Sequence, residues 1–298
     1  MAIQFDFDDV RTTEFGVGLS EEGQTFHLVP VDNHVQTALR EMAAATRDAM
    51  IRLADEPTRY QPSEKHERCE YLRLPIEDEL AERMRILHQA NNLNINVGAL
   101  EEPEDLFCYF ARMTDAQGRR LTALRRASQF KGVLKKRLIR LVADSLKLVE
   151  DDVFKLDSDF DLLIDAVSVH ILRPSSFELA SELQTVILAA VPRNVAAIQR
   201  HLAFVDFATI QAYATTHPRA ARYLASIRDQ GIDNISRRAL TASCRENGVE
   251  IANANGRIVV NDDHAMAFLE ILDRRRYRVN LVTDSPELFR AASRQKID

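Results

Sequence analysis

Apolar and polar positions alternate over 12–18 and 25–31, on either side of the turn-forming run at 21–24, which predicts two short strands. The rhythm then lengthens. Val35, Leu39, Met42, Ala43 and Met50 recur at helical spacing, so a helix is expected over 33–53 with Asn33 as its N-cap. The polar, proline-broken stretch 55–70 reads as a surface loop, 71–75 as a strand and 77–91 as a second helix. Two apolar runs, 106–113 and 121–128, flank a turn at 115–119 and predict a hairpin. Shorter apolar pieces follow within 138–157, then a longer one at 160–172. Their close spacing suits an antiparallel meander better than βαβ crossovers. The 133–142 piece is ambiguous, because Leu134, Leu138 and Leu141 also fit one helical face.

After Pro174 the pattern turns helical, with segments expected at 177–190, 193–204, 208–215, 218–229 and 235–247. Two short strands around Asn255-Gly256 form a hairpin signal, followed by a helix over 262–272 and a final strand over 275–282. Helix, ribbon, helix is loosely winged-helix-like. The expected class is therefore α+β: a mixed, largely antiparallel sheet domain over 1–174, then a mostly helical domain over 175–298 with a small C-terminal β-element.

Composition narrows the function classes. At 298 residues, 46% hydrophobic and 28% charged, the chain can bury one large core or two ordinary ones and is not a disordered tail. No run approaches the ~20 apolar residues of a membrane helix, since the longest mostly apolar piece, 179–191, is interrupted by Ser181, Glu182, Gln184 and Thr185. The first residues lack the basic-then-apolar order of a signal peptide. Cys69, Cys108 and Cys244 are odd in number and far apart, with no CxxC pair. A cytoplasmic protein is expected.

Charge is distributed unevenly. The net charge is −6, yet residues 1–118 carry 11 basic against 23 acidic side chains, while 119–140 carries nine basic and no acidic ones. The nine are Arg119, Arg120, Arg125, Arg126, Lys131, Lys135, Lys136, Arg137 and Arg140. A cationic block in an anionic chain is a localised field suited to phosphates or acidic partners. On a strand, Lys135 and Arg137, with Arg119 and Arg125, share one parity, whereas Lys136 and Arg140 take the other, so the block wraps an edge or spans a loop. Contacts of this kind release counterions and bind DNA without reading its sequence. The bland readings are an edge strand guarded by charge and a patch that meets an acidic protein surface.

The order of pieces resembles the KwaB-like family of the bacterial Kiwa anti-phage system. The residues that carry it are Phe130-Lys131-Gly132, then Phe154, Leu156, Phe160 and Asp161 within 153–165, Ser176-Phe177-Glu178, and the stretch 268–281. By element order the resemblance spans residues 70–298. It implies a cytoplasmic defence protein that binds DNA and works beside a small integral-membrane partner, which would recruit it to the inner face of the membrane. It supplies no catalytic residue.

The remaining candidates are weaker. A second basic set, Arg237, Arg238, Arg245, Arg257, Arg274, Arg275, Arg276 and Arg278, is interleaved with Glu246, Glu250, Asp262, Asp263, Glu270 and Asp273, so ion pairs absorb most of its charge. Asp157, Asp159 and Asp161 have a spacing able to hold a divalent cation, though Ser158-Asp159 also reads as an ordinary turn. His170 in an apolar strand and Cys108 in an apolar run read as core residues. Gly16 and Gly18 lack the Lys-Ser/Thr of a phosphate loop. No metal, cofactor or catalytic residue is assigned. The expectation is a non-catalytic, sequence-independent DNA-binding protein, a homodimer or higher homo-oligomer. A scaffold docking an acidic protein surface is the alternative, and a metal-dependent nuclease is a more distant one.

Overall fold

A computed structural model of the chain describes residues 3–20, 25–54, 56–66, 70–96, 106–127, 139–142, 145–148, 156–230, 232, 234–279 and 287–292, with backbone alone for 139–148. Lys131, Lys135, Lys136 and Arg137 of the basic block lie outside the described residues. The chain divides into two units: residues 1–60 with 68–181, and residues 61–67 with 182–298.

The first unit is built on an eight-stranded sheet with the order β2-β1-β5-β6-β9-β10-β4-β3. Its strands are β1 (Val10–Leu19), β2 (Thr25–Val29), β3 (Thr58–Arg59), β4 (Leu72–Pro75), β5 (Leu106–Asp115), β6 (Arg120–Arg126), β9 (Leu162–Ile164) and β10 (Ser168–Ile171). All neighbours are antiparallel except β3 and β4. The sheet is not a simple meander, because β4, early in the chain, is placed beyond β10. A separate ribbon, β7 (Ile139–Val142) with β8 (Ser145–Leu148), pairs with no other strand among the described residues.

Helix α1 (Asn33–Leu53) lies on one face of this sheet. Its Leu39, Met42, Ala43 and Met50 join Phe15, Val17, Tyr109, Ala111, Met113, Leu121, Ala123 and Leu163 in one core. Each large side chain buried there contributes about 1.5–3 kcal/mol. The helix starts one residue earlier than expected: Asp32, not Asn33, is the N-cap, its carboxylate accepting from the Val35 amide at 2.9 Å. Helix α2 (Glu82–Gln89) is preceded by one 3₁₀ turn (Glu79–Ala81) that takes part of the expected helix.

Gly16 and Gly18 serve packing rather than phosphate. A Cβ on Gly16 would collide with the Phe110 ring and stand 2.5 Å from the His27 carbonyl oxygen; one on Gly18 would stand 2.6 Å from Cys108 Sγ. Phe110 and Phe107 in turn meet the Phe26 ring edge-to-face at 5.9 Å. Gly16→Ala is therefore expected to destabilise the fold by about 1–3 kcal/mol, as overpacking of a fixed core does. Urea denaturation checks this, and an unchanged midpoint would show that the β1–β5 contact is looser than drawn.

The expected apolar run 160–172 is two strands, β9 and β10. Asp165 makes the break: its Oδ1 accepts from the Val167 and Ser168 amides at 2.9 and 2.8 Å and folds the chain back. The expected helix over 177–190 is likewise two, α3 (Pro174–Ala180) and α4 (Leu183–Ala189). Buried Ser181 donates its hydroxyl to the Phe177 carbonyl, and Glu182 takes a left-handed conformation at φ 49°. The break coincides with the boundary between the units.

The second unit packs α4, α5 (Val191–His201), α6 (Ala208–Thr216) and α9 (Asp262–Leu272) around α7 (Pro218–Gln230). Ala220, Ala221, Ala225 and Ser226 are small enough to let neighbouring helices approach α7, while Tyr223, Leu224 and Ile227 fill its core side. Helix α8 (Arg237–Glu246) and α9 are capped by Ser236 and Asn261, and the ribbon β11 (Ile251–Ala254)–β12 (Arg257–Val260) separates them. The helix–ribbon–helix order read from the sequence is present. A last ribbon, β13 (Arg276–Val279) with β14 (Glu287–Arg290), exposes Tyr277 and Phe289, whose rings stack at 5.8 Å.

Candidate nucleic-acid interface

The basic block begins at the β5–β6 turn, and its first members are tied to the fold by hydrogen bonds. Asp115, 2% exposed, accepts from the Asp6, Gln117 and Arg119 amides and from Arg119 Nε at 2.7 Å. Burial pushes its carboxyl up, but these hydrogen bonds and the Arg119 charge outweigh it and hold the group below the usual carboxylate range. Arg120 reaches the end of α2, donating to the His88 and Ala90 carbonyls and to Asn91 Oδ1. Arg112 donates to the Ala90 carbonyl as well, so two guanidinium groups cover the negative end of that helix. Burial, with Arg120 next in weight, pushes the His88 imidazole down to about 4.

Arg125 is the centre of a charged cluster. Alternation along β6 puts it beside Tyr109, its cross-strand neighbour, on the face covered by α1. It donates to Asp157 Oδ2 at 3.2 Å, Asp159 Oδ1 at 2.7 Å and Asp161 Oδ1 at 3.0 Å. Arg173 closes the other side, with Nη1 at 2.8 Å from Asp161 Oδ1 and Nη2 at 2.9 Å from Asp159 Oδ2. Partial burial acts to lower the Arg173 pKa, but the hydrogen bonds it donates to the Asp159 and Asp161 carboxylates, and their charges, outweigh it and raise it. The Tyr109 hydroxyl donates to Asp157, and the Arg126 amide donates to Asp161 Oδ2 at 2.9 Å.

The alternating aspartates thus meet two guanidinium groups. No group of three or more His, Cys, Asp or Glu able to hold a metal ion is present among the described residues. Geometrically, the cluster ties the strand entering the basic segment to the chain leaving it. Thr46 of α1 adds a second tie, accepting from the Phe160 amide at 2.7 Å.

Beyond Ala127 the block continues with Lys131, Lys135, Lys136, Arg137 and Arg140. Only the backbone of Arg140 falls within the described residues, in β7, where it stands directly opposite Lys147 of β8. Of the second basic set, Arg275 is fully buried on Asp273 at 2.5 Å, Arg276 pairs with Glu270 at 2.8 Å, and Arg237 donates to the Gly256 carbonyl.

His170 is a satisfied core residue, 1% exposed, 2.6 Å from the Tyr71 hydroxyl and 3.2 Å from Asp165 Oδ2. Burial pushes the Tyr71 phenol up to about 12 and also acts to raise Asp165. The His170 ring and the Gln4 and Val167 amides outweigh burial at Asp165 and pull its carboxyl down to about 2. A carboxylate with a depressed folded-state pKa contributes stability that is complete above its unfolded value near 4 and is lost as pH falls through 2. Asp165→Asn is thus expected to cost about 2 kcal/mol at neutral pH and to flatten the acid limb of the stability profile between about pH 4 and 2. Denaturation midpoints across that range check it; parallel profiles for the two proteins would remove Asp165 from the account.

Compared with known proteins, the chain matches the family described as Kiwa protein KwaB-like over residues 108–282, more than half of its length. The match takes in most of β5, then β6, the basic segment, the charged cluster and the helices of the second unit. No curated protein and no solved structure matches it. The chain belongs to the KwaB-like family of the Kiwa anti-phage defence system.

Proposed function

We propose that this protein serves anti-phage defence by binding duplex DNA without sequence preference, through the basic segment that runs from Arg126 to Arg140. The observation that carries the reading is the unmatched charge block, nine Lys/Arg and no acidic residue over 119–140. Within it, Lys131, Lys135, Lys136, Arg137 and Arg140 put five cations into ten residues. Arg119, Arg120 and Arg125 act differently: their donors are committed to Asp115, to the end of α2 and to the aspartate cluster, so they position the segment.

The same reading includes a small integral-membrane partner, implied by the family, that brings the protein to the membrane. Among the described residues no helix is long and apolar enough to cross a membrane. It also includes a homodimer or higher homo-oligomer, for which the −12 charge of residues 1–118 provides a counterpart to the basic segment.

The test is fluorescence anisotropy with several unrelated labelled duplexes across a salt series. Similar affinities and a log K against log salt slope of about −4, from about five phosphate contacts, are expected. Absence of binding at low salt would transfer the segment to an acidic protein partner.

A further inference from the structure

Glu270 of α9 is 1% exposed, and three guanidinium groups converge on it. Arg276 Nε lies 2.8 Å from Oε2, Arg290 Nη1 lies 3.4 Å from Oε1, and Arg219 Nη2 lies 3.7 Å from the same oxygen. Arg276 and Arg290 are direct cross-strand partners on β13–β14, and Arg219 comes from the first turn of α7. One carboxylate balances one of the three. No second carboxylate is ion-paired with them among the described residues, so the group carries two surplus positive charges.

Neutralising a buried carboxylate needs a single well-placed arginine, and Arg276 fills that role at 28% exposure. The other two stay about half exposed, 53% for Arg219 and 54% for Arg290. Arg219 is nevertheless held in place. The Tyr223 hydroxyl, on a residue 2% exposed, accepts from Arg219 Nε and Nη2 at 3.3 and 3.0 Å. The same ring stands over the buried Arg275 guanidinium, 5.2 Å from its centroid, which fixes the phenol in turn. Each guanidinium has five N–H donors, and among the described residues Arg290 gives one of them to Glu270 while remaining 54% exposed.

A dianion whose oxygens accept paired N–H bonds fits this arrangement. Phosphate monoesters carry about −1.5 to −2 charge at pH 7 and three acceptor oxygens, whereas an internal phosphodiester carries a single charge. We propose that Arg219, Arg276 and Arg290, set around Glu270, form a binding site for a phosphate monoester, such as the 5′-phosphate of a nucleotide, free or at a strand end. The site shares no residue with the basic segment and goes beyond the DNA-binding reading.

Calorimetric titration of the full chain tests it, with inorganic phosphate, a nucleoside 5′-monophosphate and a dinucleoside phosphodiester lacking a terminal phosphate. Two further probes are one oligonucleotide in its 5′-phosphorylated and 5′-hydroxyl forms, titrated into the K135E/K136E/R137E/R140E protein so that duplex binding and its failure are kept apart. The monoester is expected to bind about tenfold or more tighter than the diester, and to weaken below about pH 6 as it takes up a proton. Arg219→Gln and Arg290→Gln are each expected to weaken it about tenfold or more, one charge-assisted hydrogen bond lost, with unchanged melting because Arg276 still pairs with Glu270. A 5′-phosphorylated strand that outcompetes the free nucleotide assigns the strand end; the reverse assigns the nucleotide. Equal binding of monoester and diester, monoester binding that survives the double Arg219→Gln/Arg290→Gln change, or no saturable binding of any phosphate by the folded wild type overturns the proposal.

Discussion

Asp161→Ala is expected to destabilise the sheet unit by about 3–5 kcal/mol, the range found when one partner of a buried ion pair is removed. Asp161 is 2% exposed, and its carboxylate accepts from Arg125, Arg173 and the Arg126 amide. Alanine leaves the Arg126 amide without its acceptor and leaves Arg125, 11% exposed, with only Asp157 and Asp159 to offset its charge. The backbone of Asp161 is also committed. Its amide donates to Leu124 and its carbonyl accepts from Leu172 and Arg173, so a shift there loosens β6, β9 and the start of α3 together. Asp161→Asn should cost less, because an amide oxygen still accepts from the Arg126 amide. The loss should persist at high salt, since a buried pair is screened far less than a surface one. Urea denaturation followed by circular dichroism measures it, with the sheet and helical units fitted separately if two transitions appear. A change below about 1 kcal/mol would reduce the cluster to a solvated surface network.

That cluster also marks where sequence patterns stopped being informative. Elements with a clean period were legible: α1 follows from Leu39, Met42 and Met50 at helical spacing, and the β5–β6 hairpin from two apolar runs around one turn. Breaks made by a single side chain were not. Asp165 folds 160–172 into two strands and Ser181 ends α3, yet apolar periodicity continues across both positions. The position of β4 beside β10 depends on long-range pairing that no local pattern carries. The charge block was legible as charge but not as geometry. Asp157, Asp159 and Asp161 alternate so that all three carboxylates reach Arg125, and this spacing admits a cation as readily as a guanidinium. The available signal was complementarity between three alternating acids after the basic run and Arg125-Arg126 at its start. The Glu270 cluster gave still less warning, since Arg219 is remote in sequence from Arg276 and Arg290.

Reversing Lys135, Lys136, Arg137 and Arg140 to glutamate is expected to lower duplex affinity by about 10³-fold or more near 100 mM salt, and to reduce the salt slope by about 3 to 4 units. Each lost phosphate contact removes close to one unit of slope, and four carboxylates in place of four cations repel the remaining backbone charge. The loss should be the same for every duplex, because phosphate contacts position without reading bases. The described strands of the eight-stranded sheet and the described ion pairs around Arg125 are made by other residues, so stability should stay within about 0.5 kcal/mol. Arg120→Ala is the informative counterpart. Its donors are committed to the His88 and Ala90 carbonyls, so it should lower stability while leaving the salt slope unchanged. Binding that follows Arg120 rather than the four reversed positions would shift the interface to the β5–β6 turn. Binding untouched by either change would remove the basic segment from DNA recognition altogether.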